Sequence, residues 1–321
     1  MNNLYIRMTV AILLTLVSIS CGHSDDTPLP DTPSGEPITL TVDAQIPTSD
    51  IDRPLPDGFE RRIIFEIYDI NRQRISRAIV PAEKPTAQFL LYSAEYAIVA
   101  WSDVVRTSDI NKDLLFDTSS LVPVKSLSPY TPSITLKQTL FATTTIKVQN
   151  HLISNQQTSS IPLHPTWGSY ELISTDIERL RQHLTADSQT LDGYNVRITY
   201  SGYLATGFNC LDGIRKDSHA GVTFTTPLSD ILTGNSSTAT IASDCIFTLP
   251  DNEITIEVRI DLLSPDNIIL TASKCRIPLT RGQHTTLRGR YLTTTSSDGN
   301  SGIGIDKNYD ATIDIDLGTI H

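Results

Sequence analysis

The side chains that could do chemistry are scattered along this chain. Its seven histidines, His23, His151, His164, His183, His219, His284 and His321, stand singly among polar or turn-forming neighbours. No His-Glu-x-x-His pair, Gly-x-Ser-x-Gly elbow, phosphate-binding loop or Cys-x-x-Cys pair occurs. With 36 acidic residues, nothing singles out two carboxylates for glycoside hydrolysis. Asp306-Lys307-Asn308-Tyr309-Asp310 begins like a calcium loop, which requires Gly at its sixth position and Glu at its twelfth. Ala311 and Leu317 stand there instead, inside a strand pattern. The expectation is therefore no catalytic residue, no cofactor and no metal site, and a protein that is not an enzyme. Trp101 ends an apolar run and suits a core. Trp167, next to Gly168, is left open as a stacking platform for a sugar ring.

One cysteine has a chemically telling position. Arg7 precedes an apolar run, Thr9–Val17, which gives way to Ser18-Ile19-Ser20 and then Cys21. A basic start, a short apolar stretch and small residues form a secretory signal over residues 1–20. The run falls short of the roughly 20 apolar residues a membrane span needs. The stretch ending in Ser20-Cys21 resembles a bacterial lipobox, which implies lipidation of Cys21 on its thiol and then its amine. Ser18 departs from the usual leucine. Ser24-Asp25-Asp26 resembles the acidic export signal of surface lipoproteins. Residues 21–36, rich in proline, read as an extended tether. Cys210, Cys245 and Cys275 match no zinc spacing and read as small buried apolar residues.

Composition narrows the partners. The formal charge is −11. Removing residues 1–20 takes away Arg7 and no acid, leaving 24 basic against 36 acidic side chains, or −12. Such a chain, with no basic cluster, is not a nucleic-acid binder. The arginines from Arg72 to Arg77 read as a solvated loop face.

The elements that must carry any function are strands. Ile38, Leu40, Val42, Ala44 and Ile46 alternate with polar residues, as do Tyr194, Val196, Ile198 and Tyr200, and Ile254 through Leu262. Period-two alternation marks half-buried antiparallel strands. Further strand-like runs cover 62–70, 86–92, 95–101, 141–149, 221–226 and 275–279, with turn residues at sandwich-like spacing. Thr175-Asp176-Ile177-Glu178 predicts a capping box, Thr175 at the N-cap, opening one short helix. Residues 154–165 are polar and divide the chain. No sequence repeat of fixed period is visible. The reading is all-β: two tandem antiparallel β-sandwich domains, 37–153 and 166–321, with one short helix.

The stretches GYNVRITYSGYLATGFNCLDGIRKDSHAGVTFTT (193–226) and GRYLTTTSSDGNSGIGIDKNYDATIDIDL (289–317), with the lipoprotein signal and the strand FATTTIKV, resemble the fimbrillin-related lipoproteins of Bacteroidales, a group that includes stalk, tip and anchor subunits of pili. The resemblance implies fimbrillin-like sandwiches at the cell surface or in the fimbrium, anchored in the outer membrane through lipid. It also implies assembly with other fimbrial subunits by β-strand exchange, and adhesion to a host or bacterial surface ligand. The C-terminal strand ATIDIDL then supplies a donor face of Ala311, Ile313, Ile315 and Leu317. Arg53, Arg61 and Arg62 are candidates for proteolytic removal of the first strand, although Pro54 disfavours a cut at Arg53. The competing reading is a glycan-binding surface lipoprotein of a nutrient-uptake system.

Overall fold

The computed structural model describes residues 35–47, 54–149, 155–186, 191–249, 253–293 and 313–316. Alternating strands bury one face. In β1 (Ile38–Gln45) the side chains of Ile38, Leu40, Val42 and Ala44 are buried. In β2 (Phe59–Tyr68) and β5 (Glu95–Arg106) burial is nearly continuous, because their sheet is covered on both sides.

The first half of the chain adds β3 (Arg74–Pro81), β4 (Thr86–Leu91), β6 (Phe116–Asp117), β7 (Val124–Ser126), β8 (Leu140–Lys147), β9 (Gln156–Pro162) and β10 (His164–Pro165). Its two sandwich sheets run β4-β1-β9 and β10-β8-β5-β2-β3. The second half holds β11 (Trp167–Ser174), α1 (Ile177–Ala186), β12 (Asn195–Tyr200), β13 (Tyr203–Asn209), β14 (Ile214–Ala220), β15 (Thr223–Pro227) and α2 (Leu228–Ile231). It continues with β16 (Ala239–Phe247), β17 (Ile254–Leu263), β18 (Ile269–Leu279), β19 (His284–Gly289) and β20 (Ile313–Asp316). Its sandwich sheets run β16-β11-β19-β20 and β15-β12-β17-β18.

The halves share one strand layout. In each, the first strand is antiparallel to one neighbour and parallel to the last core strand: β1 with β4 and β9, β11 with β16 and β19. The facing sheets correspond as well, β3-β2-β5-β8 matching β15-β12-β17-β18 with all pairings antiparallel. The two parallel pairs depart from the purely antiparallel expectation.

Each half also sends out one excursion, β6-β7 between β5 and β8, and β13-β14 between β12 and β15. The two excursions pair into a shared sheet, β14-β13-β7-β6. That sheet covers the outer face of β2 and β5. Ile64, Val99, Trp101, Phe116 and Val124 from the first half pack there with Phe208, Cys210 and Phe247 from the second. The other two cores lie inside the sandwiches.

Several local expectations are revised. Helix α1 starts at Ile177, and the Thr175 hydroxyl donates to the Gly289 carbonyl instead of capping. The carboxylate of Asp176 takes donors from Ser174, Leu292 and Thr293, tying the helix start to the segment after β19. A second helix, the single turn α2, was not foreseen. Arg74 and Arg77 are not loop charges: they lie in β3 and pair with the buried Glu66. Polar residues 156–162 form β9 beside β1, because an edge strand needs an apolar residue only where it faces the core, here Ile161.

Candidate assembly surfaces

Strand edges and the first and last strands are where this architecture could act on a partner. β1 occupies the centre of its sheet, with β4 and β9 bonded to its two edges. Its inward residues Ile38, Leu40 and Val42 are at most 1% exposed. β20 lies antiparallel on β19, with Ile313 in register with Leu287 and Ile315 with Thr285. Leu287 and Thr285 are buried, so these register positions belong to the core side of the sheet. Cys21, Arg53, Ala311 and Leu317 lie outside the described residues, as does the 306–310 acidic stretch.

Arg61 and Arg62 stand inside β2, between β3 and β5. Arg62 is fully buried and reaches Asp103 at 2.7 Å, Asp113 at 2.6 Å and the Ile110 carbonyl at 2.8 Å. Arg61 donates to the Gln138 carbonyl at 2.8 Å. With hydrogen bonds from Nε, Nη1 and Nη2 to Asp103, Ile110, Asp113 and Thr118, Arg62 pins the excursion that follows β5 to the sheet. In the folded chain its guanidinium is out of reach of a protease pocket.

A second buried carboxylate joins the halves. Asp244 of β16 accepts from Tyr130 (2.6 Å), Tyr200 (2.8 Å), Lys137 (2.7 Å) and the backbone N–H groups of Ser133 and Cys245. Tyr130, Ser133 and Lys137 come from the loop between β7 and β8. The Lys137 ammonium also lies 4.2 Å from the Tyr130 ring centroid. Burial first, and then the Asp244 charge, push the phenols of Tyr130, Tyr170 and Tyr200 well above their ordinary range. Nothing in the sequence marks Asp244 or Lys137, which pair across 107 positions of the chain.

Both tryptophans are core residues, Trp101 fully buried and Trp167 at 3% exposure. Gly168 beside it lets β11 approach the Thr280 carbonyl, which a Cβ would meet at 2.7 Å. Neither indole offers a face to a sugar. Cys210, Cys245 and Cys275 are free thiols, the first two buried. Burial raises Cys210 well above the usual thiol range and Cys275 to about 12, with Glu257 adding to the latter. Among the described residues no group of three or more His, Cys, Asp or Glu is placed to hold a metal ion. No described helix is long and apolar enough to cross a membrane.

These features define an all-β protein of two like-wound sandwiches joined by a shared sheet. The chain belongs to the family described as "Family of unknown function (DUF6562)", which matches residues 30–319. No curated protein matches it. Among solved structures it is similar to the fimbrial anchor protein Mfa2 from Porphyromonas gingivalis, at 11% identity and a TM-score of 0.44, over 79% of this chain and 91% of that one. A candidate adhesin from Bacteroides ovatus gives 8% identity and 0.44, over 74% and 75%. A fimbrial assembly protein from Parabacteroides distasonis gives 11% and 0.37, over 82% and 92%. By their own descriptions these are fimbrial and adhesion proteins, the kind the sequence resembles. At such identities no activity passes from them to this chain.

Proposed function

We propose that the chain is a surface lipoprotein that serves as a structural or accessory subunit of a fimbrial assembly. It is held in the outer membrane through acylated Cys21, joins other subunits by strand exchange and contributes to adhesion. The observation that carries this reading is the position of β1, a terminal strand at the centre of a sheet. Burying an Ile, Leu or Val side chain contributes about 1.5–3 kcal/mol, so Ile38, Leu40 and Val42 together contribute roughly 5–9 kcal/mol. That is comparable to the whole stability of a typical domain, about 5–15 kcal/mol.

A copy that loses β1, by a cut at Arg53 in the segment behind it, therefore requires a replacement strand. The C-terminal run Ala311–Leu317 has the same period-two pattern, with Ala311, Ile313, Ile315 and Leu317 on one face. Backbone ladder bonds would supply affinity and the alternate side chains specificity. A copy that keeps β1 keeps its lipid and serves as an anchor or accessory subunit.

Mass spectrometry of the protein recovered from cells tests the maturation. Acylated Cys21 in the membrane fraction, with high-mass species that disappear on deletion of residues 309–321, is the expected result. Unacylated protein in the cytosol, or high-mass species indifferent to that deletion, would overturn the reading.

A further inference from the structure

The repeated layout exposes an asymmetry. In the second half, the edge of β19 away from β11 carries β20. β9 is the matching strand of the first half, parallel to β1 as β19 is to β11. Among the described residues no strand pairs with its outer edge. We propose that this free edge of β9 is a docking site for the β20 strand of a second copy of the chain, added antiparallel as β20 is added to its own β19.

Three observations support this assignment. First, the inward residues of β19 are buried where β20 is present, Thr285 at 4% and Leu287 at 5% exposure. Gln157 and Ser159, inward on β9, are left half-buried, so the core margin is uncovered there. Second, the Gln157 Oε1 is buried with no hydrogen-bond partner among the described residues, a cost that a neighbouring strand could relieve. Third, β9 carries no charge, reading QQTSSIP. Two other edge strands are guarded by charge, β14 by Arg215, Lys216 and Asp217 and β18 by Lys274 and Arg276, while β4 and β15 share the uncharged character of β9. Charged side chains are a usual means of blocking edge-to-edge pairing.

The exchange replaces one ladder with another of the same kind, so concentration decides between the closed monomer and the joined form. Nineteen residues, 294–312, separate Thr293 from Ile313, which gives the strand ample reach between molecules. Because β20 and β9 are different surfaces, the contact is head-to-tail, and the rotation between copies decides whether it closes into a ring or runs on as an open filament. The inference takes its partner from the strand-exchange reading, but it needs no cleavage and leaves β1 in place.

The register transfers through the fully buried inward residues Leu40 and Tyr170. Tyr170 pairs with Thr285 and so with Ile315, while Leu40 pairs with Gln157. Asp314 then falls opposite Thr158. A two-residue slip, which keeps every side chain on its face, brings Asp316 there instead.

The test uses the full chain with Cys21→Ser, carrying either Thr158→Cys or one of Asp314→Cys and Asp316→Cys, mixed under mild oxidation. A mixed disulfide between T158C and D314C or D316C, at least about tenfold over either self-disulfide, is expected, since opposed strand residues lie within disulfide reach. The uncut chain with Thr158→Lys and Ser160→Lys should retain its melting temperature and associate at least about tenfold more weakly. Assembly that yields no such cross-link and ignores the lysines would overturn the β9 assignment alone. Absence of any assembly, cut or uncut, would overturn it together with the strand-exchange reading. A disulfide formed within one chain carrying both cysteines, at a rate independent of concentration, would overturn the second-copy partner.

Discussion

Replacing Asp244 by Asn should show how far the two halves depend on one buried carboxylate. The change keeps the shape and removes the charge. It leaves the Lys137 ammonium, 6% exposed, without a counter-charge, and turns an amide N–H₂ toward donors that need an acceptor. Breaking a buried pair by removing one partner costs about 3–5 kcal/mol. The reciprocal change, Lys137→Met, should cost less, about 1–3 kcal/mol, because Asp244 keeps both tyrosine hydroxyls and two backbone N–H donors. In the double variant the stranded ammonium is gone. The combined loss should then fall short of the sum by at least about 1 kcal/mol, within the range seen for residues in one network. Urea unfolding of the four proteins, followed by circular dichroism and tyrosine fluorescence, measures each term. Losses that simply add, or a D244N effect below about 1 kcal/mol, would refute the argument that this carboxylate ties the halves together.

Other outcomes follow from the same geometry. The three buried phenols keep their protons in the native state, whereas unfolded tyrosines release theirs near pH 10. Their contribution is therefore fully present below about pH 10 and lost as pH rises beyond it, so the melting temperature should fall steeply there. Phenolate absorbance of the native protein should leave out the buried three, and their early titration would contradict this. Thiol reagents should leave Cys210, Cys245 and Cys275 unmodified in the folded protein at about pH 8 and label all three after unfolding. Val42→Asp places a charge in the first core and should prevent folding, read as loss of soluble protein and of the cooperative melt.

Strands that alternate were legible in sequence because one face meets a core and the other meets water; β1, β12 and β17 are of this kind. β9 was not, since a polar edge strand buries a single large apolar side chain and its composition resembles a linker. The doubled layout was also hidden. The excursions interrupt different loops in the two halves, after β5 in one and after β12 in the other, so no constant period survives. The charges of Arg62, Glu66 and Asp244 look ordinary in the chain. Their partners lie 41 or more positions away for Arg62 and over 100 for the Asp244–Lys137 pair, and no local pattern encodes such distances. The terminal strands suggested themselves by alternation, but the open edge beside β9 emerged from comparing one sheet with its counterpart.

The sheet built from both excursions has a mechanical consequence. Each half contributes two short strands that complete nothing alone, and the aromatic layer beneath them draws on both. Severed from each other, the halves would each present an oily wound around Trp101 or Phe208, so neither is an interchangeable module. A pull applied at one end of the molecule must shear this shared seam before the halves can swivel, which makes the protein a stiff link and not a hinge.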